Sequence, residues 1–541
     1  MGALFFIYIF GTAILDFTYT DWIMRSFWDF SGEHLGGRIF RNSAWHFPFG
    51  LMDNYNYPNK ESILYNDILP LLATVFKLLS PLLPENFQFF GFFEIVCYIL
   101  QGGIGALIVR KIGGNTVQSI IGSLFFTLST ALMLRIHFHI SLSAHFIILL
   151  CILAYLENNN FSLKKQILVW GGLLALSVTV HPYFLPMVMI IMFFRLIREY
   201  TITKNFKNQC IVFGASVLVL AGTMFCFGAF YSEKASGGSG GYSVTEFSIG
   251  WLRKASANLN TFINPQQFVL NVRDMPQVLE GVSRFIRDMP VATEGQYEGY
   301  AYLGLGIILL AVVIVFQYIQ DGGSDLKAFK KQQVLPVIGI VLSFLIFSLS
   351  PTVTLNQYKL FSYPLIGPIE RLWAAFRNTG RMAWPIVYII ITFCIWQAIT
   401  LFSVKKSVLI LSAFLLIQWA DLKPWFVSKG ENYKTKVTWQ SELPSPVWND
   451  LANKYKFICF MGNYQIFGNY KLTSLLDLIA NHKMIKTNTQ EAYLQEYGPK
   501  NDTIYVFFED QNHAFKYKDT GIYLYMIDNV IIGIDSKLNL P

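Results

Sequence analysis

The stretch WDFSGEH, residues 28–34, places Asp29, Glu33 and His34 together directly after the first apolar segment of the chain. A carboxylate partly withdrawn from water becomes a stronger base, so Asp29 suits removal of a proton from a hydroxyl nucleophile. On a helix over 24–41, Asp29 and Glu33 stand four apart and share a face, and His34 lies beside them. An ordinary interfacial helix would carry the same residues. Further along, Glu61 and Asp67 precede a second amphipathic stretch. Asp67 is placed to cap a helix over 68–79 and adds a second carboxylate near the first. Arg135, His137, His139 and His145 crowd one short region. Their spacing is poor for zinc; a polar gate or a phosphate contact is the better reading of the group, with a merely interfacial role for at least one of them. In EGQYEGYAYLG, residues 294–304, Glu294 and Glu298 lie at a lipid boundary, where acids are costly without a purpose. Finally, ERLWAAFRNTGRMAWP, residues 370–385, carries Arg371, Arg377 and Arg381. They could be snorkelling anchors, but guanidinium forks also grip phosphate through paired hydrogen bonds.

The elements that must position these groups are mostly membrane helices. The 541 residues are 53% hydrophobic and only 14% charged, with a mean hydropathy of +0.42. Soluble domains carry about 25% charged residues, so this is the composition of a polytopic membrane protein. The net charge of +8 is spread over short loops and does not form a nucleic-acid patch. Apolar segments of roughly the required 20 residues recur at 3–18, 88–109, 116–134, 142–156, 166–181, 183–198, 210–230, 301–319, 334–350, 384–402 and 407–420. The first lacks the basic start and small-residue cleavage site of a signal peptide and reads as a retained helix. If 67–84, interrupted by Pro70 and Pro81, is interfacial, the basic loops at Arg110-Lys111, Lys164-Lys165, Lys204 to Lys207, Lys327 to Lys331 and Lys405-Lys406 all face one side. That count gives about eleven spans with a cytoplasmic N-terminus. The outer face then receives loops 19–87, 231–300 and 351–383 and the C-terminal residues 421–541. That division separates a transmembrane domain, 1–420, from an extracytoplasmic one, 421–541.

The C-terminal stretch is polar. SELPSPVWNDLANKYKFICFMG reads as a helix and a strand, and IYVFFED, GIYLYMID and NVIIGID as short strands, which together predict a small α/β domain. The six Cys form no CxxC motif and indicate neither zinc nor a disulfide framework. GGSGG at 237–241 lacks the Gly-Lys-Ser/Thr of a phosphate loop.

In their order along the chain, these pieces resemble the GT-C class of membrane glycosyltransferases. That class includes protein O-mannosyltransferases, lipid A aminoarabinose transferase and oligosaccharyltransferases. The likeness rests on the first span, the acidic external loop with Asp29, the interfacial stretch 67–84 and the span 88–109 ending in Arg110-Lys111. A closer likeness is to uncharacterised bacterial membrane proteins of that class. HLGGRIFRNSAWHFPFGL, NDILPLLATVFKLLSPLLP, RIHFHISLSAH, QYEGYAYLG, FRNTGRMAWP and the NHKMIKTN region carry it. Where that family has Gln-His after the acid, this chain has Glu33-His34.

The resemblance implies a GT-C-like fold with interfacial helices in the first external loop, seated in a bacterial inner membrane. It implies transfer of a sugar from a polyprenyl-phosphate donor to a glycan, glycolipid or cell-wall polymer, with inversion at the anomeric carbon. Asp29 matches the position of the catalytic base. His34, Glu33, Asp67, His139 and Glu298 would support the acceptor, and Arg377, Arg381, Arg135 and Arg371 would hold the lipid phosphate. A divalent metal is compatible with this chemistry and not required by it. The rival enzyme is a polymerase or ligase acting on undecaprenyl-pyrophosphate-linked glycan. A lipid-linked-sugar flippase would instead place its binding residues at the midplane, within repeated halves, and the sequence shows no internal repeat.

Overall fold

The computed structural model describes residues 1–26, 28–157, 161–231, 246–268, 280–320, 331–349, 351–461, 470–487, 500–507 and 514–538. The chain is mostly helical. Its helices run α1 (Gly2–Phe10), α2 (Asp21–Met24), α3 (Trp28–Asn42), α4 (Pro70–Leu78), α5 (Phe90–Lys111), α6 (Thr116–Thr127), α7 (Thr130–Phe138), α8 (Phe146–Leu156), α9 (Leu163–Val180) and α10 (Phe184–Thr203). They continue as α11 (Phe206–Cys226), α12 (Glu246–Lys254), α13 (Leu305–Gln320), α14 (Lys331–Leu349), α15 (Gly367–Ala375), α16 (Trp384–Leu401), α17 (Val404–Lys434), α18 (Val447–Lys454) and α19 (Tyr470–His482). Strands β1 (Leu51–Asn56) with β2 (Asn59–Ser62), β3 (Gln267–Phe268) with β4 (Glu280–Gly281), and β5 (Thr352–Leu355) with β6 (Tyr358–Ser362) form two-stranded antiparallel pairs. Strands β7 (Phe457–Met461), β8 (Ile485–Thr487), β9 (Thr503–Phe507), β10 (Tyr523–Ile527) and β11 (Val530–Ile534) form one sheet.

Contacts divide the chain into two units. The first holds Met1–Tyr19, Phe89–Ala221 and Val244–Lys436. Among the described residues, five helical stretches are long and apolar enough to cross a bilayer: Phe90–Lys111, Leu163–Val180, Phe206–Cys226, Thr379–Leu401 and Val404–Lys434. The pair Thr116–Thr127 and Thr130–Ile136, bent by 51°, makes a sixth. At about 1.5 Å per residue, the 22 residues of α5 reach across a hydrocarbon core of about 30 Å. Other apolar segments expected to span are shorter, such as Leu305–Gln320 and Val334–Leu349. Length and composition therefore support five or six spans. The first segment, expected over 3–18, is helical only to Phe10, because Gly11 turns to φ 72° and a single 3-10 turn follows. α10 is long enough but carries Arg195, Arg198 and Glu199, with Arg195 paired to Glu199 one turn on. The α5–α6 connection is set locally: Asn115 and Gln118 form a reciprocal capping box that starts α6.

The second unit joins Thr20–Gln88 and Gly222–Ser243 to Val437–Pro541. The domain boundary expected at 420 falls inside α17, and the chain changes unit only after Lys436. The sheet runs in the order β10-β11-β9-β7-β8, with β7 parallel to both β8 and β9 and the β9, β11 and β10 pairings antiparallel. Asp528 and Asn529 both adopt positive φ, which suits the tight turn between β10 and β11. The Asp528 carboxylate also accepts from Ser445 N and Trp448 Nε1, at 2.9 Å each, at the start of α18. The core takes Trp448, Leu451, Leu475, Ile479, Ile504, Val506 and Ile532 from the C-terminal part, and Leu35 and Ile39 from α3. Those two residues are four apart and present one apolar stripe. The helix expected over 24–41 is thus present as α3, built into the core of the C-terminal domain.

Candidate functional site

The candidate residues fall into two clusters, one in each unit. In the first unit, three buried charges converge. Arg381 holds Glu298 in a two-bond fork, Nε to Oε2 at 2.9 Å and Nη2 to Oε1 at 2.7 Å. Arg135 Nη1 reaches the same carboxylate at 3.3 Å. All three side chains are at most 2% exposed. Asn378 Nδ2 donates to Glu298 Oε1 at 3.1 Å and is itself fixed by Trp251 Nε1, 2.6 Å from its Oδ1. Aromatic rings back both guanidiniums, Trp384 at 5.0 Å from Arg135 and Tyr183 at 4.4 Å from Arg381. Burial would push the Glu298 carboxyl up, but the two guanidiniums and the hydrogen bond from Arg381 hold it down at about 2. Two cations against one anion leave an excess positive charge. Among the described residues, Arg135 Nε finds no hydrogen-bond partner. An anion with several acceptor oxygens would satisfy both.

Local structure explains the convergence. α7 delivers Arg135. The 3-10 turn Glu294–Gly299 buries Glu298 while leaving Glu294 exposed in a 2.8 Å pair with Lys254. The two acids read together in the sequence therefore part company. The 3-10 turn Thr379–Ala383 brings in Arg381, and it packs closely on the Glu294–Gly299 turn because Gly299 and Gly380 meet there: a Cβ on Gly380 would lie 2.5 Å from the Gly299 Cα. His145 stacks on Trp384 at 4.6 Å and its Nδ1 lies 2.6 Å from Tyr388 Oη. His139 is half-buried and acts on the Glu298 charge. Arg377 is half-buried, and Arg371 is exposed on α15, outside the cluster. The side chain of His137 lies outside the described residues. The motifs FRNTGRMAWP and QYEGYAYLG contain the supporting Asn378 and Trp384, but nothing in their spacing says that they meet.

In the second unit, Glu33 and Asp67 line one cavity of about 260 Å3. Asp29 stands in the first turn of α3, four residues before Glu33; its side chain lies outside the described residues. His34 is 2% exposed, and burial, with Arg38 and Arg41 nearby, pushes its imidazole well down, so it is neutral at pH 7. The expected capping role of Asp67 does not hold. The helix begins later, at Pro70, and its N-cap is Leu69, with no side-chain cap. Asp67, at φ 21°, belongs instead to the turn that edges the cavity. Lys486 and Thr473 from the C-terminal part also line it, and their sequence surroundings gave no sign of this.

Among the described residues, no three His, Cys, Asp or Glu side chains gather as a metal site would require.

The profile of a family described as Domain of unknown function (DUF6311) matches residues 1–423. The chain belongs to the DUF6311 family. The matched part holds α3 and the whole Arg135–Glu298–Arg381 cluster, and it ends before the β7–β11 sheet. No curated protein matches this DUF6311 member, and no solved structure does.

Proposed function

We propose that this DUF6311 protein is a GT-C-type membrane glycosyltransferase. It moves a sugar from a polyprenyl-phosphate donor to a cell-envelope glycan or glycolipid on the outer face of a bacterial inner membrane. The observation that carries this reading is the pair of buried guanidiniums that share one carboxylate and leave positive charge and an Nε–H over. Ionisable groups buried among apolar helices are retained for a purpose, and Arg suits phosphate.

In this reading the apolar helices, short ones included, make about eleven spans, with the N-terminus cytoplasmic and Val437–Pro541 outside. The donor phosphate sits against Arg381 and Arg135, with Arg377 at its edge. Asp29 takes the proton of the acceptor hydroxyl as its oxygen bonds to the anomeric carbon. The bond from that carbon to the phosphate oxygen breaks, and polyprenyl phosphate leaves with the electron pair, stabilised by the guanidiniums. One displacement inverts the anomeric centre.

The test is transfer from radiolabelled polyprenyl-phosphate hexoses to extracted envelope glycan by the protein reconstituted in vesicles. Asp29→Asn is expected to lower the rate at least 100-fold while leaving the melting temperature unchanged. Full activity of Asp29→Asn removes the base. Failure of the wild type to consume any polyprenyl-phosphate sugar removes the transferase.

A further inference from the structure

The cavity of about 260 Å3 in the second unit opens to solvent and has room for a sugar ring. Its chemistry is mixed in a particular way. Glu33 comes from α3 and Asp67 and Asn66 from the turn before α4, supplying acceptors and an amide. Asn66 Nδ2 donates to Glu61 Oε1 at 3.1 Å. Burial raises the Glu61 carboxyl despite the charge of Lys486 and the Asn66 bond. Lys486, from β8, is the one cation among the lining residues, held 4.5 Å from the Tyr55 ring. Leucines from α19 and the ring of Tyr65 make the rest of the wall; the Tyr65 hydroxyl donates to Ala229 O at 2.7 Å.

These features discriminate between ligand classes. A hydrocarbon chain would strip water from two carboxyls and an ammonium without replacing their hydrogen bonds. A phosphate or an acidic sugar would meet Glu33, Asp67 and nearby Glu61 against a single Lys. A ring with several hydroxyls satisfies acceptors and donor together and lays its C–H faces on the apolar wall. An amino substituent would add to this.

We propose that the cavity binds one neutral or amino sugar residue, with Glu33 and Asp67 accepting hydrogen bonds from its hydroxyls and Lys486 donating to a ring substituent. It rests on the glycosyltransferase reading only in assigning that sugar to the acceptor. On this proposal the acceptor is held jointly by the family-matched part of the chain, through Glu33 and Asp67, and by the C-terminal sheet, which supplies Lys486.

The experiment is ligand-observed NMR with the purified full-length protein in detergent, titrated with methyl glycosides of a neutral hexose, a hexosamine and a hexuronic acid. The neutral or amino glycoside is expected to bind saturably, and the uronic acid about tenfold more weakly or not at all. Glu33→Gln and Asp67→Asn should each weaken binding about tenfold, the loss of one hydrogen bond to a charged group. Should the buried Glu33→Gln fail to fold, Asp67→Asn still decides, since Asp67 is exposed and Asn tolerates its positive φ. The proposal is overturned if no glycoside binds the wild type saturably, if Asp67→Asn binds as well as the wild type, or if the uronic acid binds as tightly. No donor is present in this measurement. Glycoside binding without sugar transfer therefore removes the transferase and keeps the site, and transfer without glycoside binding does the reverse.

Discussion

Glu298 is the residue on which the first unit's chemistry turns. It is the shared counter-ion of two buried guanidiniums, so Glu298→Gln leaves both uncompensated and is expected to destabilise the protein by about 3–5 kcal/mol. Chemical denaturation in detergent measures this. The pH dependence follows from the same pairing. The folded carboxyl titrates at about 2, against 4.5 when unperturbed. Its contribution is therefore fully present above pH 4.5 and is lost as pH falls toward 2. A drop in melting temperature across that window, absent in Glu298→Gln, is the expected signature. Arg381→Lys is the milder probe. It keeps a charge but loses the fork, and donor KM should rise about tenfold or more while the fold is retained.

At the scale of elements, the contact between α3 and α19 holds the acidic helix to the C-terminal domain. Arg38 donates to Asp477 at 2.9 Å and to Asn481 at 2.6 Å, and Asn42 donates to Ala480 O at 2.8 Å. Burial raises the Asp477 carboxyl, with Arg38 opposing. Arg38→Ala therefore leaves a half-compensated acid under α3 and should cost about 1–3 kcal/mol, read as a lower melting temperature. α3 itself was legible as an amphipathic helix from its 3.6-residue pattern. Its partner was not, because α19 lies more than 400 residues away in sequence and no local rule ties the two. β7, β9, β10 and β11 were legible from their apolar alternation and turn residues. The β1–β2 and β5–β6 hairpins were not, since both lie in loops read only for charge and motif.

For the whole molecule, the distribution of basic loops makes a topological prediction. In a variant lacking the native cysteines, Ser441→Cys should react with a membrane-impermeant maleimide on intact cells, and Lys405→Cys only after permeabilisation. Both positions are exposed. The reverse pattern would invert the orientation and with it the outer-face donor chemistry.

Composition and periodicity alone determined that the chain is a helical membrane protein with a strand-rich C-terminal part, because apolar length and alternation are local properties. They also marked Glu33, Asp67, Arg135, Glu298 and Arg381 as residues whose presence needed a reason. Only the tertiary structure decided which of them meet. It paired Glu298 with Arg381 and Arg135, left Glu294 and Arg371 in solvent, and put Glu33 and Asp67 on one cavity with Lys486. Such pairings depend on the desolvation and geometry of groups brought together from distant segments, and spacing along the chain does not encode them.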